Sequence, residues 1–360
     1  MRDFSQKYRY DVIAVGETTV DAFMTLPEGD KSLHSHDEDH DVCFRPGEKI
    51  RVEKYNLCVG GNATNVAVGL NRLGIHVGLC TEIGDDEMSF KIRNTLAKEN
   101  IERLLIKQTA GTQTNFSVVI NYLGDRTIFV KNIEREHDFD LDNVTASFVY
   151  LTSLGRTWEA PYKKVLAFIE ENDSTLAFNP GIRQIREGKD LVHDVLKKTA
   201  MLFVNKEEAE TLLYDMETDK TDKEYVHELA KKLQELGSKT VVITDGKRGS
   251  YALSEHGEFY HRPSDTGPVV ERTGAGDAYT TGFIAASISG LSIPEAMEWG
   301  AADATAVVAQ IGAQTGLLTK EQIEAASNSS ASSDQAAVKK EELMGVKKSD
   351  EFEIMPAPLE

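Results

Sequence analysis

Thr273-Gly274-Ala275-Gly276-Asp277, followed by an apolar helical run from Ala278 to Ser289, is the stretch best equipped for chemistry. Small residues let a backbone turn sharply and present bare N–H groups. The start of a helix adds the positive end of its dipole, so such a turn suits a phosphate or a developing oxyanion. Asp277 stands in that field as an ionised carboxylate, a candidate general base beside an anion hole. Asp is also a common N-cap, and a capped tight turn would read the same in isolation.

Four further groups have the right residue types. Gly60-Gly61-Asn62-Ala63-Thr64-Asn65 opens another helix, with glycines for close backbone approach and Asn amides that donate to and accept from hydroxyls. Thr244-Asp245-Gly246-Lys247-Arg248-Gly249 follows a strand and suits phosphate contact through a hydroxyl and two glycines; a plain β-turn is the alternative. Asn205 and Glu208, three residues apart at a helix start, face one way. They could order waters around Mg2+, which prefers oxygen ligands and keeps much of its hydration, or simply form an N-terminal cap. Asp21, just past the first strand, is a candidate acceptor for polyol hydroxyls or a solvated loop acid. A fifth group, His34-Ser35-His36-Asp37-Glu38-Asp39-His40-Asp41, is rich in Zn2+ or Ni2+ ligands but fits no defined spacing, and reads as a solvated acidic loop.

The elements that must position these residues alternate. Short apolar runs (Asp11–Gly16, Val77–Cys80, Ser147–Thr152, Thr175–Asn179, Met201–Asn205, Thr240–Thr244) are separated by segments of helical periodicity (Asn65–Leu73, Met88–Lys98, Glu159–Glu171, Asp190–Lys198, Glu207–Tyr214, Lys223–Leu236). That order predicts a parallel sheet covered on both faces. Two stretches break the rhythm. Thr114–Lys131 reads as a hairpin, and Ala22–Leu57 is polar and extended. Together they predict a small β-rich flap over the edge where α/β proteins bind ligands. From Ser327 the chain turns low in complexity, which predicts a disordered tail over 327–360.

Composition excludes some functions. A net charge of −19 argues against nucleic-acid and acidic-membrane partners, while backbone amides can still bind phosphate locally. Cys43, Cys58 and Cys80 lack metal-site spacing and an even count, and read as reduced thiols of a cytoplasmic protein. The polar Met1–Tyr10 is no signal peptide, and no apolar run approaches the roughly 20 residues a membrane span needs.

The two glycine motifs, in this order and spacing with Asn205, Glu208 and Thr244–Gly249 between them, resemble the ribokinase-like (PfkB) carbohydrate kinases over roughly residues 10–320. The resemblance implies an α/β fold: a three-layer α/β/α sandwich with a mainly parallel central sheet and a small β-sheet lid. One kinase domain would span 1–326, its lid contributed by about 17–58 and 112–132. It implies an ATP-dependent sugar kinase in which Asp277 is the base and Gly274, Ala275 and Gly276 present amides to the transferring phosphoryl group. Asp21, Gly60, Gly61 and Asn65 would bind substrate hydroxyls. Asn205, Glu208, Thr244, Gly246, Gly249 and Asp303 would serve ATP, the first two holding Mg2+ through water. Exposed edges on a β flap often pair with a second copy, so a homodimer through the lid is expected from the flap itself rather than from the resemblance. A nucleoside kinase on this scaffold and a catalytically silent binding protein are the other readings. This chain departs from the pattern at Glu271-Arg272-Thr273, where relatives often carry an Asp that helps bind a monovalent cation, and at Asp303, where they often carry Asn.

Overall fold

The computed structural model describes residues 7–29, 33–36, 41–123, 125–213 and 222–327. In chain order its strands begin β1 (Tyr8–Val15), β2 (Thr19–Thr25), β3 (His34–His36), β4 (Asp41–Cys43), β5 (Lys54–Gly60), β6 (Val77–Ile83), β7 (Ile106–Gln108), β8 (Asn115–Tyr122) and β9 (Asp125–Lys131). They continue with β10 (Val144–Thr152), β11 (Thr175–Asn179), β12 (Thr199–Asn205), β13 (Thr240–Thr244), β14 (Ser250–Leu253) and β15 (Phe259–Arg262). The helices are α1 (Asn62–Arg72), α2 (Glu87–Lys98), α3 (Glu159–Asn172), α4 (Ile182–Glu187), α5 (Lys189–Leu196), α6 (Lys206–Leu212), α7 (Asp222–Glu235), α8 (Ala275–Ile288) and α9 (Ile293–Val308).

The large sheet runs β15-β14-β13-β12-β11-β10-β1-β6-β7. It is parallel from β13 to β7, and β14 and β15 add an antiparallel edge. Its central strands are apolar on both faces because helices cover both: every residue of β6 is buried, as are Val12 to Val15 of β1. Ile13 and Val15 point into a core shared with α3, α5 and α7, while Val12 and Ala14 point into one shared with α1, α8 and α9. Each such buried side chain contributes about 1.5–3 kcal/mol.

After β1 the chain travels one way to β6 and β7, then returns to place β10 on β1's other side and β11 to β13 beyond it. The reversal at β1 opens a crevice at the carboxyl ends of the strands, where open α/β sheets bind ligands. Over that edge lies the predicted flap, a four-stranded sheet of order β5-β2-β8-β9. Its β8–β9 hairpin is the expected one, and β2 joins it in parallel register, Asp21 opposite Ser117.

The structure adds elements that the hydrophobic pattern did not give: β7, β14, β15 and the short α4. The His/Asp-rich insertion is partly a ribbon, with β3 paired antiparallel to β4, while 37–40 lie outside the described residues. Among the described residues no group of His, Cys, Asp and Glu could hold a metal ion by itself. No helix among them is long and apolar enough to cross a membrane. The tail expected from 327 lies outside them apart from Ser327, the end of a helical segment over 320–327.

Candidate active site

Gly274 is the N-cap of α8 in the left-handed conformation, φ 84°, and a Cβ there would stand 2.3 Å from Ala313 Cβ. Only glycine meets both demands. The turn aims the first amides of α8 outward, with Asp277 in the first helical turn. Gly276 has nothing within 4 Å of the place a Cβ would take, so open space lies over these amides.

Asp277 is held from a second helix. Asn65 Nδ2 donates to its Oδ2 at 2.8 Å, and Gln314 Nε2 donates to Asn65 Oδ1 at 3.0 Å, which fixes the orientation of the amide. One helical turn further on, α1 and α8 touch at Gly69, where a Cβ would stand 2.5 Å from Thr281 Cγ2. Residues 65 and 69 share a face of α1, as do 277 and 281 of α8. The glycine contact therefore sets the distance at which Asn65 meets Asp277. Gln314 thus supports the candidate site through Asn65 and was not among the residues expected from the sequence. It lies in a loop, and nothing in its spacing points to Asn65.

Gly61 caps α1 at φ 96°, against the backbone of Glu17 and Thr18. At Gly60 a Cβ would come within 2.2 Å of Asp21 Oδ2, so the bare α-carbon makes room for that carboxylate. Asp21, Gly60, Gly61 and Asn65 thus come together with Asp277 near the switch point. Asn205 and Glu208 form a reciprocal capping box: Glu208 N donates to Asn205 Oδ1 at 2.8 Å and Asn205 N to Glu208 Oε2 at 2.9 Å. This is the bland reading of the pair realised, and it leaves Glu208 Oε1 for other partners.

These acids share one field. Burial pushes Asp277 up to about 6; the Asn65 hydrogen bond opposes the rise and Asp21 adds to it. Burial lifts Glu208 to about 7, with Asp277 adding. Asp21 also rises to about 6 through burial, against hydrogen bonds from Ser117 and Thr19. Among them Glu208 keeps Oε1 outside its capping box, a hard oxygen donor of the type that Mg2+ accepts directly or through water.

Thr244 ends β13, and Gly246 to Arg248 form a 3-10 turn before β14. Gly246 (φ 51°) faces open space, and Gly249 (φ 92°) packs on the Arg262 carbonyl. Asp303 is fully buried, and its Oδ1 accepts the Leu318 amide at 2.8 Å, so this side chain anchors the loop after α9. Burial raises its pKa to about 7. A cleft of about 870 Å3 lies between the lid and Val269–Arg272. Asp277 does not line it; the carboxylate, 9% exposed, lies deeper.

Known proteins share this architecture. A 5-dehydro-2-deoxygluconokinase of Clostridium perfringens is 24% identical over 339 residues, covering 89% of this chain and 94% of that protein. A nucleoside kinase of Methanocaldococcus jannaschii is 24% identical over 283 residues, covering 77% of this chain and 88% of that protein. The structure of Arabidopsis thaliana ribokinase complexed with ribose and ATP superposes with a TM-score of 0.69 at 18% identity, covering 89% of this chain and 99% of that one. The model of the pfkB family carbohydrate kinases matches residues 31–320, and the chain belongs to that family.

Proposed function

We propose that this protein transfers the γ-phosphoryl group of ATP to a hydroxyl of a small carbohydrate. The observation that carries the reading is Asp277, buried in the first turn of α8 beside left-handed Gly274 and steered by Asn65 from the second glycine motif. Asp21, Asn65 and the Gly60-Gly61 turn bind the sugar's hydroxyls and bring one of them to Asp277. The carboxylate accepts its proton as the oxygen attacks in line, and the amides of Gly274, Ala275 and Gly276 take up the charge on the passing phosphoryl group. Thr244, Gly246 and Gly249 contact the nucleotide's phosphates, and Asp303 acts only by holding the loop that ends at Leu318. Glu208, through Oε1 and ordered water, would hold Mg2+, which screens the phosphate charges. The lid excludes water, which protects ATP from hydrolysis. A cytoplasmic setting supplies ATP, and pairing through the lid's exposed β9 edge gives a homodimer.

Asp277 must be ionised to accept a proton. Its pKa of about 6 therefore predicts a kcat/KM that climbs through pH 6, with Glu208, at about 7, extending the rise. A flat profile from pH 5 to 8 would remove the base from this residue. The acceptor is found by a coupled ADP-release panel of sugars, sugar acids including 5-dehydro-2-deoxygluconate, and nucleosides. We expect turnover with a sugar or sugar acid. Turnover with nucleosides alone would move the assignment to a nucleoside kinase.

A further inference from the structure

Glu271 precedes the catalytic turn and is 5% exposed. Its Oε1 accepts from the backbone N of Thr273 at 2.9 Å and from the Thr273 hydroxyl at 2.7 Å, so this carboxylate shapes the approach to Gly274. Its Oε2 is buried with no hydrogen-bond partner. A buried carboxylate oxygen left unpaired is costly, and such groups normally find a donor. An ion-pair partner comes from the lid. Arg126, near the start of β9, places Nε 3.7 Å from Glu271 Oε1, within ion-pair reach but beyond hydrogen-bond length. The two side chains line the same cleft, Arg126 from the lid wall and Glu271 from the core wall. Arg126 is about a third exposed (34%), Glu271 almost wholly enclosed.

We propose that Arg126 is a positioning residue that couples lid closure to the anion hole, a step that rests on the phosphotransferase reading above. As the lid shuts, the planar guanidinium makes a two-pronged fork with Glu271, one nitrogen on Oε1 and another on the orphan Oε2. Arginine presents parallel N–H groups at the spacing of a carboxylate, which lysine does not. The fork fixes the Glu271 carboxylate, Glu271 fixes Thr273, and Thr273 sets the turn that aims the amides of α8. The anion hole is thus fully ordered only when water has been shut out. The same pair bears on cation dependence. With a guanidinium facing Glu271, a second cation would be repelled, and turnover should be indifferent to K+.

The test uses the full chain as Arg126→Ala, Arg126→Lys, Glu271→Gln and the double variant Arg126→Ala/Glu271→Gln. The first readout needs no acceptor sugar: hydrogen exchange of the 273–276 amides with and without Mg2+ and the analogue AMP-PNP. Wild type should gain protection there together with β9, and Arg126→Ala should lose roughly tenfold of that gain. With the best acceptor of the panel, Arg126→Ala should lower kcat by about 30-fold with less than a roughly threefold change in either KM, and Arg126→Lys should recover only part of it. The double variant should be little worse than Arg126→Ala alone, the signature of one shared interaction. Equal protection in wild type and Arg126→Ala, or additive kcat losses in the double variant, would overturn the coupling. So would wild-type activity that depends strongly on K+ over Na+ while Arg126→Ala is unimpaired, because a metal ion would then complete Oε2. Absence of turnover on the whole panel would instead count against the kinase reading, and the exchange experiment would still decide for or against Arg126.

Discussion

Asp277→Asn should lower kcat by about 10^3- to 10^4-fold while leaving ATP affinity within a small factor of wild type. The substitution preserves shape, and the new side-chain oxygen can still accept from Asn65 Nδ2, so the helix start and its amides stay in place. Only the proton acceptor is lost. The residual rate should depend less on pH than that of wild type, because one of the groups that shape the profile is gone while Asp21 and Glu208 still titrate. Stability supplies an independent check. The folded-state pKa of Asp277 is raised from 3.8 to about 6, so its contribution to stability is fully present below pH 4 and is lost as pH rises through 6. Removing the charge should therefore raise Tm at pH 8 and change it little at pH 4. The gain is roughly 3 kcal/mol at most, since the amide also pays for burial. Near-wild-type kcat in this variant would end the proposed mechanism, and a fall in Tm at pH 8 would contradict the electrostatic reading of the site.

Gly274→Ala should damage fold and catalysis together. The residue sits at φ 84°, and the added methyl would lie 2.3 Å from Ala313 Cβ and 2.7 Å from Ala313 Cα. Left-handed strain and overpacking sum to roughly 2–5 kcal/mol. Relief requires the turn to move, and a shift of about 1 Å in the amides can cost 10^2-fold in rate. Ala313→Gly should restore only part of the loss, because the α-carbon remains in the way. Gly276→Ala is the informative contrast. Its methyl meets nothing within 4 Å in the folded chain, so thermal stability should hold while kcat falls, the methyl standing where the phosphoryl group must pass. Thermal melts and steady-state kinetics on the three variants separate strain from obstruction. Unchanged stability in Gly274→Ala would refute the conformational argument.

The legible parts of this protein were those written locally. Apolar runs separated by helical periodicity predicted the parallel strands and their cover, and the β8–β9 hairpin stood out because a polar turn separates two β-rich segments. The glycine turns were legible because few other residues meet their backbone demands. The antiparallel edge was not, since β14 and β15 are four-residue strands with no period of their own, β14 held by pairing with β13 and β15 by pairing with β14. Within the candidate site, the residues proposed to touch the reaction were legible by type, and those that hold them were not. Gln314 steadies Asn65 across 249 residues of chain, and Arg126 looks like any charge on a hairpin. Glu208 shows the opposite difficulty. Its local signature fits both a cap and a metal ligand, and the structure realises the cap while leaving one oxygen free.

The place of β1 in the large sheet has a consequence for how the molecule is made. Residue 8 pairs with residue 144, and Val12 with Val77 on the other side, so β1 is synthesised well before its second neighbour. At about 5–20 residues per second, its apolar segment waits on the order of ten seconds for its second neighbour. During that interval Val12–Val15 has an open edge on an uncharged strand, of the kind that recruits other chains. Yield in a cell should therefore depend on chaperone supply and on the pace of translation through the first 150 residues, more than on the stability of the finished enzyme.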